Sequence, residues 1–454
     1  MSISVSNLTP AEMVAELDKY IIGQEQAKKT VSIALRNRWR RSGIKDPTMK
    51  KEILPKNILM SGPTGVGKTE IARRLAQITQ SPLIKVEATK FTEVGYIGRD
   101  VESIIKDLVK TAVNTRKREE LEKVRERAER IAETRVLDLL NIPSPEDVNE
   151  DDEFYEDKMK RREEYRERML EKLRNGEFDE KEVSITVENQ MLPVFEISGN
   201  SQEDMDVSIK DMMGNLFPSN KKNKNMKVRN AIDHIIQQES QKMIDMDKIN
   251  REALKWAEEN GIVFIDEIDK IIARGGNRSG PDVSREGVQR DFLPIVEGST
   301  VTTKFGPIKT DHILFIAAGA FHMVSPSDLI PELQGRFPLS VSLHSLDAEH
   351  FRKILSEPQC SLIKQYRALI FTEKIKLNFS KDAVKAIAGI SYELNNTTQD
   401  IGARRLQMVL ETLLEEISFS APDIKKKKIT ITAEYVNEKL LKEKESEKLS
   451  KYII

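Results

Sequence analysis

A chain of 454 residues has room for roughly two to four domains, and 39% hydrophobic residues are enough to fill more than one packed core. Charged residues make up 32% of the chain yet cancel to a net charge of −1, so no global field favours nucleic acid. The single cysteine, Cys360, excludes a disulfide framework and a zinc module, the five histidines (His234, His312, His322, His344, His350) never fall at ligand spacing, and no apolar run approaches the ~18 residues of a membrane span.

In chain order, MSISVSNLTPAEMV lacks the basic region and apolar core of a leader, and a soluble cytoplasmic protein is expected. Thr9, Pro10 and Glu12 form a capping box that opens a first helix. Tyr20-Ile21-Ile22-Gly23-Gln24 turns into a second helix, Glu25 to Trp39, ending in the basic run Arg38, Arg40 and Arg41. Ile21 and Ile22 suit either the core or the face of an adenine ring. From Pro55 to Ala72, PKNILMSGPTGVGKTEIA, a buried strand at Asn57 to Met60 breaks into a glycine-rich loop and resumes as a helix with apolar Ile71, Leu75 and Ile78. This is a phosphate-binding loop. Gly62, Gly65 and Gly67 let the backbone present N–H groups to an anion, Lys68 reaches the β- and γ-phosphates, and Thr69 offers a hydroxyl to Mg²⁺. The helix from Glu70 points its positive end at the same charge.

A second strand is expected at Leu83 to Ala88, and a helix behind Asp100 as N-cap with Val101, Ile104, Ile105 and Leu108 on its apolar face. Between them, Gly95-Tyr96-Ile97-Gly98 reads either as a mobile loop with a hydrophobic grip or as a tyrosine folded back on its domain. The next acidic strand arrives late: about 200 residues separate Thr69 from Asp266, where two helices and two strands need about 50 to 70, so roughly 130 have been inserted.

The insert opens with a charged helix, Arg116 to Leu140, with Leu121, Val124, Ala128 and Ile131 on one stripe and supporting pairs Glu119/Lys123 and Glu126/Arg130. Pro143 and Pro145 stop it, Glu146 to Glu153 reads as a solvated tip, and a second charged helix follows from Glu156 to Arg174. Glu182 to Val187 and Val194 to Ile197 look like strands. Asp204 to Lys227, with Met205, Met212, Met213, Leu216 and Phe217 beside an Asn/Lys tract, reads as a mobile contact segment or an ill-packed loop, and a helix from Val228 to Asp245 returns to the core. The expected boundaries are 1–110 and 246–343 for two halves of a core, 111–245 for the insert and 344–454 for a lid.

GIVFID, Gly261 to Asp266, has the form of a strand buried in a parallel sheet. At its end Asp266 is placed to hold Mg²⁺ through water and Glu267 to polarise an attacking water. His312 to Ala318 and Ser340 to Leu343 supply two more strands, for a core sheet of five. In PELQGRF, Arg336 is either an ordinary surface arginine or one that reaches a neighbouring subunit's γ-phosphate. Helices follow at Ala348 to Leu355, Cys360 to Leu369, Lys381 to Tyr392 and Arg404 to Ile417, with strands at Ile375 to Phe379 and Ile429 to Ile431. Gly402-Ala403-Arg404-Arg405 opens the longest of these helices and sets two arginines at a domain edge. The terminal Tyr452-Ile453-Ile454 either frays or plugs into something else.

P-loop, IDEID, ELQGR and GARR in that order resemble an AAA+ ATPase, an α/β P-loop core with a helical C-terminal lid. YIIGQ, RNRWRR, KVEATKFTEVGYIGRD, GPDVSREGVQRD, TDHILFIAAGAF and DIGARRL narrow the resemblance to the HslU (ClpY) family of unfoldases, whose mostly helical intermediate domain falls where the insert lies. That resemblance implies ATP and Mg²⁺ as cofactors, a homo-hexamer, unfolded protein substrates and an HslV-type double-ring peptidase as partner. It implies that Ile22 contacts adenine, that Gly65, Val66, Gly67, Lys68, Thr69 and Glu70 wrap the phosphates, and that Thr69 and Asp266 serve the metal. Glu267 would activate water, Glu332 and Arg336 would act at the subunit boundary with Arg336 as finger, and Arg404 would sense nucleotide from the lid. Gly95 to Gly98 would push polypeptide through a pore by way of Tyr96, and Tyr452 to Ile454 would dock on the peptidase. Ala317, Ala318 and Gly319 offer no donor where such ATPases often carry a polar sensor. The related ClpX type needs a zinc module and an Ile-Gly-Phe loop that this chain lacks, and a DNA-dependent motor needs a basic face.

Overall fold

The computed structural model describes residues 8–91, 99–144, 155–189, 220–272, 281–423 and 428–440. The chain separates into two compact units, one of Met1–Asn114 with Asn250–Ile454 and one of Thr115–Ile249.

The first unit is organised on a parallel sheet. Its strands are β1 (Ile58–Ser61) and β2 (Leu83–Glu87), then, after the strand pair β3 (Glu182–Asn189) and β4 (Asn220–Lys227) of the second unit, β5 (Ile262–Asp266). A short antiparallel hairpin, β6 (Thr300–Thr303) and β7 (Gly306–Lys309), precedes β8 (Leu314–Gly319) and β9 (Leu339–Ser342). The five-stranded order is β2-β5-β8-β1-β9, every pair parallel. The central strands β5, β8 and β1 are near-continuous apolar runs because the sheet is covered on both faces, whereas the edge strands β2 and β9 carry polar residues. Their residues alternate between two cores: Ile58, Met60, Phe264 and Ile316 in one, Leu59, Val263, Ile265 and Phe315 in the other. The lid's Leu355, Ile387, Leu406 and Leu410 belong to the first of these cores, so the lid is packed onto the sheet layer rather than tethered to it.

Most expected helices stand with shifted ends. Thr9 makes the capping box with Glu12, and the helix carrying the basic run continues to Ser42. The lid helices are Ala348–Ser356, Leu362–Phe371, Lys381–Thr397 and Arg404–Ser420, the last two equal at 17 residues, and its strands β10 (Lys376–Phe379) and β11 (Lys428–Ile431) pair in parallel. Helices Pro47–Glu52 and Met246–Asn260 and the β6–β7 hairpin have no counterpart in the sequence reading.

Two expectations about the insert and the helix that leads into it are corrected. The helix expected behind Asp100 and the charged one from Arg116 are a single helix, Ser103–Leu139, because no Gly or Pro interrupts it. Its surface pairs are Arg116–Glu119, Lys123–Glu120 and Arg125–Glu129 rather than the spacing read for Lys123. The Asn/Lys tract Asn220–Lys227 is a strand, antiparallel to Glu182–Asn189. A polar segment gains a ladder of backbone hydrogen bonds when an alternating partner strand, with buried Val183 and Ile185, supplies the core face. The charged helix spans Tyr155–Arg174 and the closing helix Val228–Met243. Glu146 to Glu153, Val194 to Ile197 and Met205 to Phe217 lie outside the described residues.

The basic run has a structural use. The Arg38 guanidinium donates to three backbone carbonyls, of Asn260 at 3.1 Å, Gly261 at 2.7 Å and His312 at 2.7 Å, gathering the chain just before β5 and before β8. Arg41 donates to the Lys50 carbonyl at 2.8 Å and lies 2.5 Å from His312 Nε2. Arg38→Met keeps the stem's packing but strands those carbonyls. It should lower unfolding free energy by about 2 to 4 kcal/mol, read from urea denaturation; a change under about 0.5 kcal/mol would deny Arg38 this anchoring role.

Candidate functional site

The site lies at the carboxyl ends of β1 and β5, where parallel strands deliver their loops to one edge. Beyond Ser61 the loop turns through Gly65 (φ +75°) and Gly67 (φ +106°), the latter as N-cap of the helix Lys68–Ile78. Lys68 is nearly buried and its ammonium donates to the loop's own carbonyls, Gly62 and Pro63, the second at 2.8 Å. Burial pulls its pKa below the usual lysine range, with Asp266 and Asp269 opposing the shift and Arg404 adding to it.

The lid closes against this loop backbone to backbone. Ala403 N donates to the Gly65 carbonyl at 3.0 Å. A β-carbon on Gly65 would fall 2.0 Å from the Ile401 oxygen, and one on Gly402 (φ +59°) would fall 2.6 Å from the Thr64 oxygen. Both glycines are therefore fixed by close approach as well as by dihedral. The two arginines after Gly402 part company. Arg404 is exposed on the loop side, within electrostatic range of Lys68. Arg405 is buried, donating to Asn395 Oδ1 at 3.2 Å, Thr398 Oγ1 at 2.7 Å and the Gln399 carbonyl at 3.1 Å, and it builds the lid.

Across the loop, Thr69 Oγ1 donates to Asp266 Oδ2 at 3.2 Å, joining residues 197 apart in sequence. Asp266 Oδ1 accepts the Glu267 N–H at 3.1 Å. Glu267 holds φ +56°, a left-handed conformation that costs a non-glycine residue on the order of 1 kcal/mol or more, and its side chain is exposed. The kink turns that carboxylate off the strand axis into solvent beside Asp266. The donor set suits a triphosphate with a divalent cation: a loop of permissive glycines, an ammonium upon it, and a hydroxyl facing a carboxylate.

Elsewhere the sequence-derived residues are placed as follows. Ile21 is buried in the core while Ile22 is half-buried. Val66 is buried, and the Glu70 carboxylate folds back onto Arg73 at 2.6 Å and Arg74 at 2.7 Å, so Glu70 offers an anion its backbone N–H. Glu332 and Arg336 are both exposed on the short helix Pro331–Arg336. Arg336 pairs with Glu297 at 3.0 Å rather than with a residue of the phosphate-binding loop. Ala317, Ala318 and Gly319 are buried in β8. Gly95, Tyr96, Ile97 and Gly98, and Tyr452, Ile453 and Ile454, lie outside the described residues.

Three contacts were not read from sequence. Asp269, nearly buried, accepts the Phe321 N–H at 3.3 Å and supports Lys68 electrostatically; the third acid of IDEID was its signal. Arg74 stacks on Tyr20 at 3.7 Å, linking the Ile21-Ile22 segment to the loop's helix. Lys85 Nζ lies 2.9 Å from Asp266 Oδ2, and a lone lysine between apolar residues in LIKVEA was its only trace.

Comparison with known proteins finds two family matches and a relative over nearly the whole chain. The family described as ATPase family associated with various cellular activities (AAA) matches residues 58–133, and the AAA domain (Cdc48 subfamily) matches residues 180–340. A curated relative from Bacillus velezensis, described as an ATP-dependent protease ATPase subunit ClpY, is 51% identical over 463 aligned positions, covering 98% of this chain and 99% of its own length.

Proposed function

The chain belongs to the ClpY (HslU) family of ATP-dependent protease ATPase subunits, and from that premise we propose that it uses ATP to unfold proteins and feed them to a separate peptidase. The chain is an AAA ATPase whose enzymatic activity is ATP hydrolysis. The observation that carries the site assignment is the 3.2 Å contact of Thr69 with Asp266 beside Lys68 on its loop, because a triphosphate's cation needs anchors from both motifs at once.

In this reading the N–H groups from Gly65 to Glu70 and the Lys68 ammonium hold the phosphates, and Ile22 lies against the adenine. Thr69 and Asp266 hold Mg²⁺, which when bound neutralises charge on the transferring phosphoryl group. Glu267 orients and polarises the attacking water and accepts its proton. Arg404 meets the phosphates from the lid, and the seat of its neighbours Gly402 and Ala403 on Gly65 gives the lid a direct register of what the loop holds. Glu332 and Arg336 act across a subunit boundary in a homo-hexameric ring, where Arg336 leaves Glu297 for the neighbour's γ-phosphate. Tyr96, between Gly95 and Gly98 and beside Ile97, grips the polypeptide in the pore. Tyr452 to Ile454 dock on an HslV-type double-ring peptidase.

The test combines the protein with such a peptidase, ATP and a folded substrate protein. ATP-dependent degradation is expected, with Tyr96→Ala abolishing it while ATPase stays within about twofold, and removal of Tyr452 to Ile454 abolishing peptidase activation alone. ATP turnover stimulated by DNA, with no folded protein unfolded, would overturn the reading.

A further inference from the structure

Lys85 stands on β2, the strand beside β5, and its ammonium is 2.9 Å from Asp266 Oδ2. That same oxygen accepts the Thr69 hydroxyl at 3.2 Å, while Oδ1 is engaged by the Glu267 N–H. The ammonium thus sits against the carboxylate oxygen that faces Thr69, on the side where a divalent cation shared by Thr69 and Asp266 must coordinate. Lys68, the other cation of the loop, is directed onto the loop carbonyls instead. The Lys85 side chain is 42% exposed and that of Asp266 19%. A pair this open to water is worth at most about 1 kcal/mol, too little to be a structural anchor and small enough to be exchanged. A lysine suits exchange, being a compact point charge on a flexible stem rather than a planar fork locked to its partner.

The carboxylates around it explain the need. Asp266, Glu267 and Asp269 fall within one turn of chain, and Glu87 is Asp266's register partner on β2, itself paired with Lys90 at 3.2 Å. We propose that Lys85 is an exchangeable counter-cation for Asp266: it neutralises the metal-binding carboxylate and keeps it turned toward Thr69 when no divalent ion is bound, and yields that oxygen when nucleotide arrives with its metal. Lys85 is then a positioning residue that sets how much free Mg²⁺ the site requires. The inference rests on the nucleotide-binding role proposed above.

The experiment is the binding of a fluorescent N-methylanthraniloyl-ADP to the full chain while free Mg²⁺ is set with EDTA. Lys85→Met, relieved of the competing charge, should reach half-maximal Mg²⁺-dependent binding at about three- to tenfold lower free Mg²⁺ than the unsubstituted protein. Lys85→Arg should stay within about twofold, and so should Lys90→Met, which removes a like charge from the same strand end without touching Asp266. A midpoint that is unmoved or raised in Lys85→Met overturns the proposal, as does an equal shift in Lys90→Met. Absence of nucleotide binding by the unsubstituted protein at every Mg²⁺ concentration would overturn the site assignment itself, and the two failures are told apart by that one curve.

Discussion

Glu267→Gln is expected to leave ATP affinity within about threefold of the unsubstituted protein and to cut steady-state hydrolysis by at least about 10²-fold, the range a general base contributes. The residue reaches its place through a left-handed backbone, so the substitution must preserve that conformation. Gln does so: it matches Glu in length and shape, and the strand-end contacts run through Asp266 Oδ1 and the residue's own N–H. What it removes is the carboxylate oxygen proposed to accept a proton from water. Affinity should be conserved because the groups proposed to hold the phosphates, Lys68, Thr69 and the loop N–H groups, lie on the other motif. Binding by isothermal titration and phosphate release measured on one preparation check both halves; hydrolysis within about threefold of normal would remove Glu267 from the chemistry.

Arg336→Ala should lower ATP turnover by about 10³-fold or more if the guanidinium completes a neighbour's site. The residue is exposed and paired with Glu297 rather than with its own subunit's loop, an arrangement worth about 1 kcal/mol at most and so readily given up. Mixing supplies the decisive measurement. Arg336→Ala chains keep Glu267, and Glu267→Gln chains keep Arg336. In the proposed ring, assemblies of both variants would contain interfaces where an intact Glu267 meets an intact Arg336, so the mixture should regain a readily measurable fraction of turnover that neither variant has alone. An arginine acting within its own chain would give no recovery.

The sequence was legible wherever function demands short-range order. A phosphate loop must be contiguous, so Gly62 to Thr69 announced itself, and burial on both faces made the central strands β1, β5 and β8 apolar runs that could be read directly. The third acid, Asp269, and the roles of the basic run escaped because their partners, Phe321 in one case and His312 and Asn260 in the other, are distant in sequence. The polar strand Asn220–Lys227 escaped for a related reason: its conformation is decided by the strand opposite, and residue propensity carries no record of that partner.

By itself, then, the sequence determined that this is a P-loop ATPase with a large insert and a helical lid, because those facts depend on local spacing and hydrophobic period. Only the tertiary structure decided which groups share an atom. It placed Thr69 and Lys85 on one oxygen of Asp266, seated Gly402 against Gly65, and sent Arg404 toward the loop while burying its neighbour Arg405. Contacts of a few ångströms between elements far apart in the chain are fixed by how layers pack, and packing is a property of the whole fold.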